Sequence, residues 1–138
     1  MSIEENSENL RFILVDDDPA AHTYHKIMMT RAGIDEQAIV ECYSADECIV
    51  HVSNAQGDSN VQDIIIADLS MPLKNGWALL EELKLHISKQ YTPEVYLVTN
   101  SMDPNDKNKS ESYPFVKGFK TKFLNSEFFS DLLSNGQN

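Results

Sequence analysis

Five times along this 138-residue chain a short, mostly apolar run gives way to a stretch with helical spacing, and that alternation limits the folds open to it. The runs are Leu10–Val15, Ala38–Tyr43, Val61–Ala67, Val95–Val98 and Phe115–Thr121, the last being the most polar. Leu10–Val15 holds one Arg in an otherwise continuous apolar run, the mark of a strand covered on both faces. After the first run, Asp18 is an N-cap candidate and Pro19 suits a first helical position. Tyr24, Ile27, Met28 and Ala32 then recur at helical spacing until Gly33 stops the helix. Ser44 with Glu47 reads as a capping box opening a helix that runs to about Ala55, and Gln56–Asn60 as a turn. Asn75 and Gly76 open a long helix with Trp77, Leu80, Leu83 and Ile87 on one face, widened by Leu79. Ser126–Leu133 forms the closing amphipathic helix. Strands separated by helices pair in parallel, because such pairs need long crossovers. An open α/β sheet covered on both faces follows, with ligands sited beyond the carboxyl ends of its strands.

What stands at those ends is chemically pointed. Phe12–Val15 stops at Asp16, Asp17 and Asp18, Ile64–Ala67 at Asp68, Val95–Val98 at Thr99, and Val116–Thr121 at Lys122. Carboxylates crowded into one crevice repel unless a cation joins them. Mg2+ fits, being hard, oxygen-seeking and commonly shared between carboxylates and phosphate oxygens. With a hydroxyl from Thr99 and an ammonium from Lys122, the set has what phosphoryl transfer demands: positioning and neutralised charge. An aspartate against the metal can itself become an aspartyl phosphate. Any one Asp after a strand is an ordinary turn former, and a single Lys an ordinary solvated charge. Four strand ends each carrying the required residue type are not.

These residues stand in an order that resembles the receiver domain of two-component response regulators, particularly single-domain chemotaxis-type receivers. The resemblance spans residues 10 to 134. It rests on Asp16 and Asp17 after Leu14 and Val15, on Asp68-Leu69-Ser70-Met71-Pro72 with Asn75 and Gly76, on Val98-Thr99, and on Gly118-Phe119-Lys120-Thr121-Lys122. It implies a flavodoxin-like, doubly wound (βα)5 sandwich whose five parallel strands lie in the order 2-1-3-4-5. It also implies that Asp68 is the phosphoacceptor and that Asp17 binds Mg2+ directly, Asp16 mainly through water, and Ser70 through its backbone carbonyl. Thr99 would bond the phosphoryl oxygens, Lys122 would pair with Asp68 or the phosphoryl group, and Phe119 matches the aromatic switch that turns inward as Thr moves. A histidine kinase or histidine phosphotransfer protein would supply the phosphoryl group, and an output protein of unknown identity would read it. Such a protein is not an enzyme beyond its own phosphorylation and dephosphorylation.

Departures from the family pattern carry expectations of their own. Ser70 stands for the commoner Asn and bears on dephosphorylation more than on metal binding. Asn100 follows Thr99 where smaller residues are usual, narrowing access. Phe123 follows Lys122 where the family has a Pro in a typically cis bond, so the Lys122–Phe123 bond is expected either trans with a shifted loop or cis. The polar stretch Met102–Tyr113 predicts a short, loosely held fourth helix from Pro104, and with it an altered or disordered output face.

Composition narrows the rest. Eleven basic against 22 acidic residues give a net charge of -11, which argues against direct nucleic-acid binding. No run approaches the roughly 18 apolar residues of a membrane span, so no membrane insertion and a cytoplasmic address are expected. Residues 1–9 read as a flexible acidic tail and 135–138 as a C-terminal tail, leaving no room for a DNA-binding output domain. Cys42 and Cys48 are expected reduced and in or near the core. His22 and His25, three apart on the first helix, are read as surface or partner-facing residues, since a zinc site wants a third ligand. His51 and His86 are isolated, and Asp103, Asn105 and Asp106 lack the Gly and Glu of a calcium loop. Two other functions stay open: a haloacid-dehalogenase-type phosphatase using the Asp16/Asp18 pair, with Ala20 where that family has Thr or Val, and a receiver-like interaction module that has lost phosphorylation.

Overall fold

The computed structural model describes residues 9–55, 61–100 and 102–136. The turn expected at 56–60, residues 1–8 of the expected N-terminal tail and residues 137–138 of the expected C-terminal tail lie outside the described residues. Five strands form one parallel sheet in the order β2-β1-β3-β4-β5, the order implied by the family resemblance. They are β1 (Leu10–Val15), β2 (Ile39–Cys42), β3 (Gln62–Asp68), β4 (Glu94–Thr99) and β5 (Val116–Thr121). The helices are α1 (Pro19–Arg31), α2 (Ala45–Ala55), α3 (Gly76–Lys84), α4 (Pro104–Ser110) and α5 (Ser126–Gly136).

Alternation along the strands builds two cores. Ile13, Val15, Ile65, Ala67, Val95, Leu97 and Phe119 face α2 and α3, whose Val52, Leu79, Leu80 and Leu83 are fully buried. Phe12, Leu14, Ile64, Ile66 and Val98 face the other way, against Met28 and Met29 of α1 and Phe129 of α5. Cys42 and Cys48 are buried free thiols, as expected, and burial pushes Cys42 up to about 12.

Helix ends follow the capping residues. Asp18 accepts from the Ala20 N–H at 2.9 Å and Pro19 starts α1, while Gly33 leaves it at φ +100°. At α2 the Glu47 N–H donates to Ser44 Oγ at 3.2 Å, and the Glu47 carboxylate reaches back to the Tyr43 N–H rather than to that of Ser44. α3 is shorter than its apolar pattern suggests: it ends at Lys84, so Ile87 lies beyond it. α5 is longer, running past Leu133 to Gly136.

The face of α1 differs from its apolar spacing. Tyr24 and Ile27 are exposed, at 39% and 45%, whereas His22 and His25 are buried at 1% and 3%. The two histidines are therefore not surface residues, because each ring finds a backbone partner inside the fold. A second buried polar group, not anticipated from sequence, is Asp63 at the opposite end of the sheet. Arg11 clasps it with two hydrogen bonds of 2.8 and 3.0 Å, and Tyr91 donates its hydroxyl at 2.5 Å. A buried carboxylate needs such pairing to be tolerated.

Candidate functional site

Backbone hydrogen bonds across the sheet fix the strand tips. The Asp16 N–H donates to Cys42 O at 3.0 Å, the Leu69 N–H to Val98 O at 2.8 Å, and the Lys122 N–H to Thr99 O at 2.8 Å. Because β1, β3, β4 and β5 run parallel and adjacent, these bonds align the residues that follow each strand. Gly76 lets α3 begin hard against the loop after Asp68, since a Cβ there would sit 2.9 Å from Leu69 Cα. Asn75 caps that helix by accepting from the Ala78 N–H at 3.0 Å.

Asp16, Asp17 and Asp68 come together, each offering a carboxylate oxygen within 4.8 Å of the others. Asp16 and Asp68 are buried and Asp17 is exposed, so the cluster opens to solvent on one side. Lys122 reaches in from the far strand and lies between two of them, 2.8 Å from Asp16 Oδ2 and 3.1 Å from Asp68 Oδ2. The other oxygen of each carboxylate is held by local backbone: Asp16 Oδ1 accepts from the Asp18 N–H and Asp68 Oδ1 from the Ser70 N–H, at 2.9 and 3.0 Å. Burial pushes the Asp68 carboxyl above the usual carboxylate range, against the Ser70 and Lys122 hydrogen bonds. Burial pulls on the Lys122 ammonium too, but its bonds to Asp16 and Asp68 outweigh that and raise it.

Thr99 is buried at the tip of β4, in register with Thr121. Phe119 is buried in β5 and packs on the α2–α3 side with Tyr113 and Phe115. Ser70 is exposed at the mouth of the cluster. Asp18 caps α1 by accepting from the Ala20 N–H, and the carboxylate cluster is formed by Asp16, Asp17 and Asp68. Asp103 likewise caps α4 by accepting from the Asn105 N–H at 2.9 Å. The Lys122–Phe123 peptide bond is cis.

Sequence reasoning missed the two histidines that reach this region. His22 donates from Nε2 to the carbonyl of Asp16 at 2.8 Å, and His25 Nε2 accepts from the Leu124 N–H at 3.1 Å. Their i, i+3 spacing put them on one face. The available signal was that this face also carries Met28 and Met29, one turn further on.

The three carboxylates fit a hard divalent cation, since all their donors are oxygens on a partly open rim. The lysine beside them adds fixed positive charge where an anionic group would enter.

A sequence model described as response regulator receiver domain matches residues 12–117, well over half of the chain. A curated relative, the gliding motility regulatory protein of Myxococcus xanthus, is 28% identical over 103 residues, covering 75% of this chain. The matched stretch is 12% of that longer protein. Among solved structures, a two-component response regulator from Cytophaga hutchinsonii superposes with a TM-score of 0.78 at 24% identity, covering 93% of this chain and 96% of that one. A response regulator receiver protein from Dyadobacter fermentans gives 0.78 at 21% identity, covering 92% and 97%. These two likenesses concern the fold, while the model match concerns the sequence, over a span that includes Asp16 and Asp17 after β1 and the block from Asp68. The chain belongs to the response regulator receiver domain family.

Proposed function

We propose that this receiver accepts a phosphoryl group on Asp68 from a histidine kinase or a histidine phosphotransfer protein, in a Mg2+-dependent reaction, and signals by changing conformation. The observation that carries the reading is Lys122 held between Asp16 and Asp68 in a cluster whose third carboxylate is Asp17. Asp17, Asp16 and Asp68, with the backbone carbonyl of Ser70, would hold the metal. When bound, it supplies positive charge to the phosphoryl oxygens.

Asp68 attacks phosphorus through a carboxylate oxygen. A new O–P bond forms as the bond from phosphorus to the donor's imidazole nitrogen breaks, and that nitrogen keeps the electron pair. Lys122 balances charge that builds on the equatorial oxygens, and its contact with Asp68 is replaced by one with the phosphoryl group. Thr99 bonds a phosphoryl oxygen, and Phe119 on the neighbouring strand responds, biasing a two-state equilibrium that an output protein reads. The whole reaction is self-modification and its hydrolysis, in a cytoplasmic setting where kinases of this class deliver phosphate.

The test is intact mass after incubation with acetyl phosphate and Mg2+. The wild type gains the mass of one phosphoryl group and Asp68→Asn gains none. An equal gain in the variant puts the acceptor elsewhere.

A further inference from the structure

His22 and His25 hold backbone on both sides of the acid–lysine cluster, and phosphoryl transfer as described gives neither of them a role. His22 fixes the Asp16 carbonyl on the β1 side. His25 acts on the other side, where the chain leaves β5 through Phe123 and Leu124.

Lys122 is anchored at its own N–H by Thr99 O, but beyond it the loop needs a second hold. Phe123 keeps a freely variable φ that the family's proline would fix. Leu124 is 4% exposed, so its N–H must find an acceptor inside the protein. That acceptor is His25 Nε2. A backbone N–H only donates, so Nε2 carries the lone pair and the neutral ring holds its proton on Nδ1. Burial supports this state by pulling His25 down to about 4.

Ring contacts fix the imidazole in place. Its centroid is 5.6 Å from Phe123, 5.8 Å from Tyr24 and 6.3 Å from Phe129. Phe123 in turn packs edge-on against Tyr24 at 5.2 Å and has the Lys122 ammonium 5.4 Å from its ring centre. One histidine on α1 thus ties the helix that follows Asp16 and Asp17 to the loop that follows Lys122.

We propose that His25 is a positioning residue for Lys122: by accepting the Leu124 N–H and packing on Phe123, it keeps the ammonium between Asp16 and Asp68. The proposal rests on the reading of Asp68 as phosphoacceptor. A lysine has a long, flexible stem, and small misplacement of a charge-balancing group costs rate far more than it costs folding.

The experiment compares wild type, His25→Leu, His25→Gln and Phe123→Ala. It reads the rate of phosphorylation by acetyl phosphate, Mg2+ affinity by calorimetry, and amide exchange at Leu124 in metal-free protein. His25→Leu, which has no acceptor, is expected to slow phosphorylation about tenfold or more, to speed Leu124 exchange, and to leave Mg2+ affinity within about twofold. His25→Gln, whose Oε1 can take the same N–H, recovers most of the rate. A folded His25→Leu that phosphorylates at the wild-type rate overturns the proposal, as does a folded His25→Gln as slow as His25→Leu. If His25→Leu does not fold, Phe123→Ala decides at a half-exposed position, with a loss of about threefold or more expected and an unchanged rate overturning the idea. A wild type that takes no phosphoryl group contradicts the underlying reading and the proposal with it. A labelled wild type matched by the variants contradicts the proposal alone.

Discussion

Asp68 is held in a state the folded protein disfavours, and that has a measurable consequence. Burial raises its carboxyl above the usual range, so ionisation costs the native state more than the unfolded chain. Stability therefore rises as pH falls through the raised value and is reduced at neutral pH. Asp68→Asn removes the charge while Asp16 still holds Lys122 at 2.8 Å, so thermal unfolding without metal should show a higher melting temperature. An unchanged or lower value would mean that the Lys122 pair outweighs the desolvation. His25 has the opposite linkage. Burial chiefly lowers it to about 4, with Lys122 and His22 adding to the effect and Asp16 opposing it. The unfolded chain takes up this proton near the ordinary value of about 6.5, before the native state does. The contribution of neutral His25 is thus complete above about pH 6.5 and is lost as pH falls toward 4, by up to about 3 kcal/mol. Urea unfolding across that range should show a steeper acid loss for wild type than for His25→Gln.

The elements divide by how their sequence relates to their burial. β1 matches its expected span Leu10–Val15 and β3 lies within one residue of its expected span, at Gln62–Asp68, because both are covered on both faces and are built around apolar runs, in β3 the three isoleucines Ile64–Ile66. α1 was legible in extent but not in orientation. Apolar spacing favoured Tyr24 and Ile27, yet the helix turns two imidazoles inward, because each ring meets a backbone group that requires a partner. No periodicity count registers a hydrogen bond to a residue 99 positions away. Asp63 escaped notice for the same reason, its partners Arg11 and Tyr91 being remote in sequence. α4 is the short, polar helix its sequence predicts, with Ser110 its one buried residue. What ties it down is polar and peripheral: the Lys109 ammonium lies 4.5 Å from the Trp77 ring centre, and Trp77 stacks with Tyr113 at 6.2 Å. Amides of residues 103–112 should accordingly exchange faster than those of any other helix, measured by mass spectrometry after a deuterium pulse. Protection equal to that of α3 would show that this aromatic edge holds α4 as firmly as a core does.

On the scale of the whole molecule, the site is a product of topology. Asp16 and Asp17, Asp68, Thr99 and Lys122 are spread over more than a hundred positions, and a parallel sheet in the order 2-1-3-4-5 brings their strand tips to one edge. That much follows from where the apolar runs stop, which is why the cluster could be read from sequence. Its supports could not, because the hold of His22 on Asp16 and of His25 on Leu124 depends on how α1 is rotated against the sheet. The proposed magnesium site draws on the same parts. A cation shared by Asp16, Asp17 and Asp68 binds the native fold and not the unfolded chain, so it should raise the melting temperature of wild type and do so less in Asp17→Asn. The central claim, that the tips enclose a phosphoryl acceptor, is tested most directly by trapping the product. After acetyl phosphate and Mg2+, borohydride reduces an aspartyl phosphate to homoserine, and peptide sequencing by mass spectrometry locates it. Homoserine at position 68 and nowhere else is the predicted result. Homoserine at Asp16 or Asp17, or none at all in a folded, Mg2+-loaded protein, would contradict the account.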